Sequence, residues 1–145
     1  YILMSGCGVG FSVEAHHVDK FPICKDFHGK NFGPIIIPDS KEGWADSFRV
    51  AMESWLKGID IILDYSQLRP AGARLKTTGG RSSGPQPLKD LMNFTRELII
   101  SKAGQKLSPL NIHDIVCKIG QIVVAGGTRR SALISLSDLS NTEVR

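Results

Sequence analysis

Two stretches of this sequence carry the residue types that hold an anion. Residues 68–88 read LRPAGARLKTTGGRSSGPQPL and set Arg69, Arg74, Lys76 and Arg81 among Gly72, Gly79, Gly80 and Gly84, with the hydroxyls of Thr77, Thr78, Ser82 and Ser83 between them. Glycine lets backbone approach a ligand and take positive φ, and a guanidinium meets phosphate oxygens in bidentate fashion. Residues 125–132 read AGGTRRSA and repeat the theme with Gly126, Gly127, Arg129 and Arg130. A nucleotide-phosphate loop is one reading of 68–88, and a basic surface loop is the other. A second Gly-plus-Arg connection favours a shared anionic ligand, because neighbouring loop ends build sites on rigid scaffolds. In SGCGVGFSVE, residues 5–14, Gly6, Gly8 and Gly10 bring bare backbone to the head of a strand.

Other reactive side chains are less well placed. Cys7 lies between glycines with no sequence neighbour to lower its pKa, and reads as a small buried residue. His16 and His17, with Asp19 and His28 nearby, suggest a metal. Adjacent histidines in a strand point to opposite faces, however, and no recognised ligand spacing is present, so no metal is expected. His113 reads as a solvated side chain and Cys117 as structural.

The elements that would position these groups alternate between strand and helix. Tyr1–Met4 reads as the last turn of a helix, and 5–14 as a strand with Val9, Phe11 and Val13 on one face. Residues 20–33 read as loop and Pro34–Pro38 as a short apolar strand. Asp39 or Ser40 caps a helix that runs to about Lys57 and is stopped by Gly58; its apolar face of Trp44, Phe48, Ala51 and Trp55 is core or partner surface. Ile59–Leu63 is the next strand. After 68–88, which reads as a long connection without regular structure, Pro87 opens a helix buried along Leu88, Leu91, Met92, Thr95, Leu98 and Ile99. A further helix begins near Asn111 as cap, with Asp114 favouring its start, and buries Ile112, Ile115, Val116, Ile119 and Val123. SALISL is the last strand.

Composition bounds the class. The 145 residues suit one domain or part of a larger one, and 41% hydrophobic with 22% charged residues is globular. A net charge of +4 with a pI near 9.1 suits an anionic ligand, but the basic residues lack the clustering of a nucleic-acid binder. No run is long enough for a membrane span and no signal segment opens the chain. Three cysteines without CxxC spacing read as reduced cytosolic thiols. Both ends look cut, so the expectation is a single partial domain over 1–145.

The ordered set SGCGVGFSVE, DSKEGWADSFR, LRPAGARLKTTGGRSSGPQPL and HDIVCKIGQIVVAGGTRRSALISLSDL resembles the large subunit of class II ribonucleotide reductases. Within them it resembles the monomeric, adenosylcobalamin-dependent ribonucleoside-triphosphate reductases. The resemblance spans nearly the whole chain. It implies an α/β fold, here part of a ten-stranded α/β barrel with effector-region helices, and thiyl-radical reduction of ribonucleoside triphosphates to deoxyribonucleotides. It implies a deoxynucleoside triphosphate effector that selects the substrate base, a thioredoxin-like reductant, a monomeric enzyme and a cytoplasmic location.

By the same resemblance, Arg69, Lys76, Thr77, Thr78, Gly79, Gly80, Arg81, Ser82, Ser83, Gly126, Gly127, Arg129 and Arg130 belong to effector or specificity loops, and Gly6, Gly8 and Gly10 to the substrate wall. The family's Asn-x-Cys-x-Glu motif, with its radical cysteine, is absent from this sequence, so no catalytic residue is expected here. Adenosylcobalamin is expected on parts of the enzyme outside this segment. The alternative is a nucleotide- or phosphate-binding module without chemistry.

Overall fold

The computed structural model describes residues 1–76, 79–125 and 131–144. A short 3-10 turn, Leu3–Ser5, ends on Gly6 at φ 79° and leads into β1, Gly8–Ser12. A four-residue helix α1, Ala15–Val18, follows, then β2, Asn31–Ile36. The long helix α2 is Lys41–Leu56 and leads to β3, Asp60–Asp64. Helices α3, Gln86–Ser101, and α4, Pro109–Ala125, precede the last strand β4, Ala132–Leu136.

The strands form two parallel pairs. β1 lies on β4 with Gly8 opposite Ala132 and Ser12 opposite Leu136, so strands near the two ends of the chain are neighbours. β2 lies on β3 as the ends of a βαβ unit wrapped around α2, with a register shift between Phe32 and Ile35. Parallel strands require such crossovers, and the arrangement is α/β, as expected. α3 packs between α2 and α4, and Trp55, Leu88, Met92, Ile99 and Ile115 fill the shared core. On α4, Gly120 faces β4 so closely that an added Cβ would stand 2.6 Å from Leu133 Cδ1. Among the described residues no helix is long and apolar enough to cross a membrane.

Local chemistry explains most boundaries. Ser40 Oγ accepts the Gly43 N–H at 2.9 Å and starts α2; Gly58 at φ 78° ends that run. Pro at the start of α3 occupies a position that needs no donor.

The expected face of α2 holds, with Ala51 and Trp55 buried and Trp44 and Phe48 packed half-buried against the same core, and Gly43 and Ser47 join it as buried positions that the sequence did not mark. Gly43 sits against Pro38 where a Cβ would collide with its carbonyl oxygen, so the first turn of the helix lies directly on the backbone that precedes it. Several other expectations are corrected. α4 starts two residues before Asn111. Ser108 Oγ accepts from Asn111 N at 3.2 Å while Asn111 Oδ1 accepts from Ser108 N at 2.9 Å, a reciprocal cap in which Ser108 leads. The strand expected over 5–14 stops at Ser12, and His16 and His17 lie on α1, not on opposite faces of a strand. Cys7 is exposed, because Gly6 and Gly8 on either side offer no side chain to cover it. His113 is half-buried: its Nδ1 meets Ser135 Oγ at 3.0 Å and its ring lies 6.0 Å from that of Phe11, joining α4 to both β1 and β4. Cys117 is exposed one turn on, with Sγ 3.5 Å from His113 Nε2.

Candidate functional site: the 68–88 hairpin and its cleft

The described residues of the connection from β3 to α3 are held together by their own backbone. Asp64 Oδ1 accepts from Ser66 N at 2.8 Å, and Leu68, buried, roots the segment in the core. Gly72 N donates to Ser82 O and Ser82 N to Ala73 O, both at 2.7 Å, and Leu75 N reaches Gly80 O at 3.0 Å. Arg74 and Arg81 form an antiparallel bridge. The expected structureless loop is therefore a hairpin, closed because Gly72, Gly79, Gly80 and Gly84 all take positive φ, which other residues resist. At its base Gly84 approaches Ala71 so closely that a Cβ would lie 3.0 Å from Ala71 N.

Arg69 staples this hairpin to the start of α2. Its Nε donates to Asp39 Oδ2 at 2.8 Å and its Nη1 to Arg74 O at 3.1 Å. Arg81 Nη1 donates to Gly72 O at 3.1 Å. Each guanidinium has five N–H donors, so both retain donors for a ligand. Lys76 makes no hydrogen bond or ion pair among the described residues.

A cleft of about 400 Å³ opens beside the hairpin, with Arg69, Lys76, Ser82 and Ser83 on one wall and Asp39, Ser40, Lys41 and Glu42 on another. Tyr1 and Met4 close one end, and Ile122 and Val123 of α4 give it an apolar floor. The positive end of α2 opens here, adding to Lys41, Arg69 and Lys76, while Asp39 is already engaged by Arg69. The arrangement suits a ligand with an anionic group and an apolar or aromatic body. A second, more open groove of about 620 Å³ lies across Leu68, lined by Tyr65, Ser66, Pro70, Pro85 and Lys89. Burial pushes the Tyr65 phenol up to about 12, and Lys89 Nζ stands 5.2 Å from its ring centre. The root of the hairpin thus separates two concave surfaces.

The structure brings together four of the residues singled out from sequence: Arg69, Lys76, Ser82 and Ser83. Gly79, Gly80 and Arg81 belong to the same hairpin but do not line the cleft. Thr77, Thr78, Gly126, Gly127, Arg129 and Arg130 lie outside the described residues, although Val123, shortly before Gly126, is on the cleft floor. Gly6, Gly8 and Gly10 are elsewhere. Gly8 and Gly10 are exposed on the face of β1 turned away from α4, beside Ile134 and Leu136, which are 64% and 55% exposed on β4. Around Gly10 nothing lies within 4 Å of where a Cβ would stand, so that face offers open backbone flanked by apolar side chains. Sequence reasoning missed the contribution of residues 39–42; the signal was the Ser40 cap, which fixes where the positive end of α2 must lie.

Comparison with known proteins gives a consistent result. A family model described as the insertion domain of B12-dependent ribonucleotide reductase matches residues 11–99. The adenosylcobalamin-dependent ribonucleoside-triphosphate reductase of Euglena gracilis is 35% identical over 136 residues, covering 93% of this chain and 18% of that protein. A probable enzyme of the same description from Dictyostelium discoideum is 38% identical over 110 residues, covering 75% of this chain and 14% of its own length. The Lactobacillus leichmannii enzyme is 30% identical over 169 residues, covering 92% and 23%. A crystal structure of B12-dependent (class II) ribonucleotide reductase superposes with a TM-score of 0.80 at 25% identity, over 98% of this chain and 24% of that one. The chain therefore spans less than a quarter of the length of these relatives.

Proposed function

Because this chain belongs to the B12-dependent ribonucleotide reductases, matched through the insertion domain of that family, we propose that it is the specificity-bearing part of an adenosylcobalamin-dependent ribonucleoside-triphosphate reductase. The whole enzyme reduces ribonucleoside triphosphates to 2′-deoxyribonucleotides by thiyl-radical chemistry, drawing electrons from a thioredoxin-like reductant. It works as a monomer in the cytoplasm, and this segment supplies base selection and not the radical.

One observation carries the reading: Arg69, Lys76, Ser82 and Ser83 of one glycine-hinged hairpin share a cleft with the positive end of α2. A reductase that serves four bases with one chemical apparatus needs backbone whose conformation a second ligand biases. The hairpin has that character, since few backbone hydrogen bonds close it and glycines stand at its base and tip. A deoxynucleoside triphosphate effector places its phosphates against Lys76, the spare donors of Arg69 and the hydroxyls of Ser82 and Ser83. Gly79, Gly80 and Arg81 transmit its identity toward the substrate, and Gly126, Gly127, Arg129 and Arg130 belong to the second specificity loop. Thr77 and Thr78 add hydroxyl donors, and Gly6, Gly8 and Gly10 let substrate lie against backbone.

Adenosylcobalamin does not fit the residues present. Neither cleft is lined by a histidine, and the anionic-ligand cleft of about 400 Å³ has the size of a nucleotide site, not of a corrin. Adenosylcobalamin accordingly binds to other parts of the enzyme.

The test is turnover of each ribonucleoside triphosphate, with and without each deoxynucleoside triphosphate, in full-length enzyme carrying Arg81→Ala or Arg129→Ala. Altered ratios among substrates are expected, larger than the change in summed turnover. Equal loss for every substrate–effector pair would overturn the assignment.

A further inference from the structure

The turn after β1 brings together side chains that the hairpin and its cleft do not use. Glu14, His16 and His17 each offer a donor atom, and these atoms all lie within 4.8 Å of one another. We propose that Glu14, His16 and His17 form a divalent transition-metal site of the zinc class at the end of β1.

The geometry follows from the helical turn that replaces the expected strand. Glu14 is extended, at φ −60° and ψ 143°, and precedes α1, so its side chain lies over the first turn together with those of His16 and His17. The two imidazoles stand side by side with ring centres 3.9 Å apart, and neither makes a hydrogen bond among the described residues. The Glu14 carboxylate has no basic partner among those residues. Ser12 Oγ donates to its Oε2 at 2.7 Å and accepts from Glu14 N at 3.2 Å. That leaves Oε1 uncommitted and fixes the carboxylate from behind, as supporting hydroxyls do for metal-bound carboxylates.

Donor atoms around a tetrahedral ion with bonds of about 2.0–2.2 Å stand about 3.4 Å apart. Both histidines are exposed, so small side-chain rotations close the difference from 4.8 Å without disturbing the core. Two imidazoles and one carboxylate select zinc, nickel, cobalt or copper over magnesium or calcium, which require oxygen donors. Three protein ligands leave the fourth position to water. Ala15 N already donates to Asp138 Oδ2 at 2.7 Å, tying this turn to the segment after β4. A bound ion therefore stiffens the corner where β1 and β4 part.

Zinc titration of the full-length protein, by calorimetry and by competition with a chromophoric chelator, tests the site. One equivalent of micromolar affinity is expected to disappear in a His16→Ala, His17→Ala double variant, while other equivalents, from thiols elsewhere, persist. Glu14→Gln and Ser12→Ala should each weaken that equivalent about tenfold. His28→Ala, which alters an exposed histidine away from the cluster, should leave it intact, and excess magnesium should not displace it. The substituted histidines are exposed, so an unchanged circular dichroism spectrum and urea midpoint are expected for the double variant. The same number of equivalents at the same affinity in that variant, or insensitivity to Glu14→Gln, would overturn the proposal.

Discussion

The Arg69 guanidinium and the Asp39 carboxylate, thirty positions apart in sequence, meet at 2.8 Å across the mouth of the cleft. The same guanidinium holds the Arg74 carbonyl at 3.1 Å. Arg69 is thus part of the frame that shapes the hairpin as well as a wall of the cleft, and its two roles share one rigid group.

Removing that staple is expected to loosen the hairpin without unfolding the domain. Arg69→Ala and Asp39→Ala should each cost about 1 kcal/mol, and the double variant little more than either alone, because the pair is only partly exposed. Arg69→Lys should recover little, since an ammonium cannot span both acceptors as the planar fork does. Urea denaturation of the four proteins in a double-variant cycle gives the coupling. Simple additivity would mean that the pair contributes nothing.

A second ion pair makes stability depend on acid. Arg96 donates through Nε and Nη2 to the two oxygens of Asp60 at 3.0 and 2.7 Å, fastening α3 to β3. These hydrogen bonds hold the Asp60 carboxyl below its ordinary value, which is near 4 in an unfolded chain. Its contribution is fully present above that unfolded value, and is lost as pH falls through the lowered native one. Asp60→Asn should therefore lower the urea midpoint at neutral pH and flatten its fall below about pH 4. Parallel acid limbs for the two proteins would contradict this.

Gly43 is required by space more than by conformation. Gly43→Ala would drive a Cβ into the Pro38 carbonyl oxygen and should destabilise by about 1–3 kcal/mol, as overpacking does, although alanine favours helix. Gly104→Ala is a useful contrast. There φ is 79° with nothing within 4 Å of the added Cβ, so its smaller cost is conformational alone. Thermal melts of the two variants should rank Gly43→Ala as the less stable.

The sequence made α2, α3, α4 and β4 readable because their signals are local. The Ser40 cap, the Gly58 stop, Pro87 and the spacing of Leu88, Leu91, Met92 and Thr95 all act within a few residues. Ser108 and Asn111 were harder to separate, since each caps the other and only geometry shows which leads. The basic, glycine-rich character of 68–88 marked the cleft wall, yet its hairpin depends on pairing between Gly72 and Ser82, which composition does not reveal. Asp39–Arg69 and Asp60–Arg96 join residues far apart in the chain, so no window of sequence contains them. The aromatic stripe of α2 was legible, since Ala51 and Trp55 are core and Trp44 and Phe48 pack against it, but the close approach of Gly43 to Pro38 was not, because it depends on how the chain folds back before the helix.

The pairing of β1 with β4 also has a schedule. At ribosomal rates of about 5–20 residues per second, β4 is made on the order of ten seconds after β1, and until then Gly8–Ser12 has no partner among the described strands. During that interval the emerging strand presents unpaired amides to any neighbouring chain. The wait makes the tempo of synthesis, and the chaperones met along the way, part of what determines how much of this protein reaches its native form.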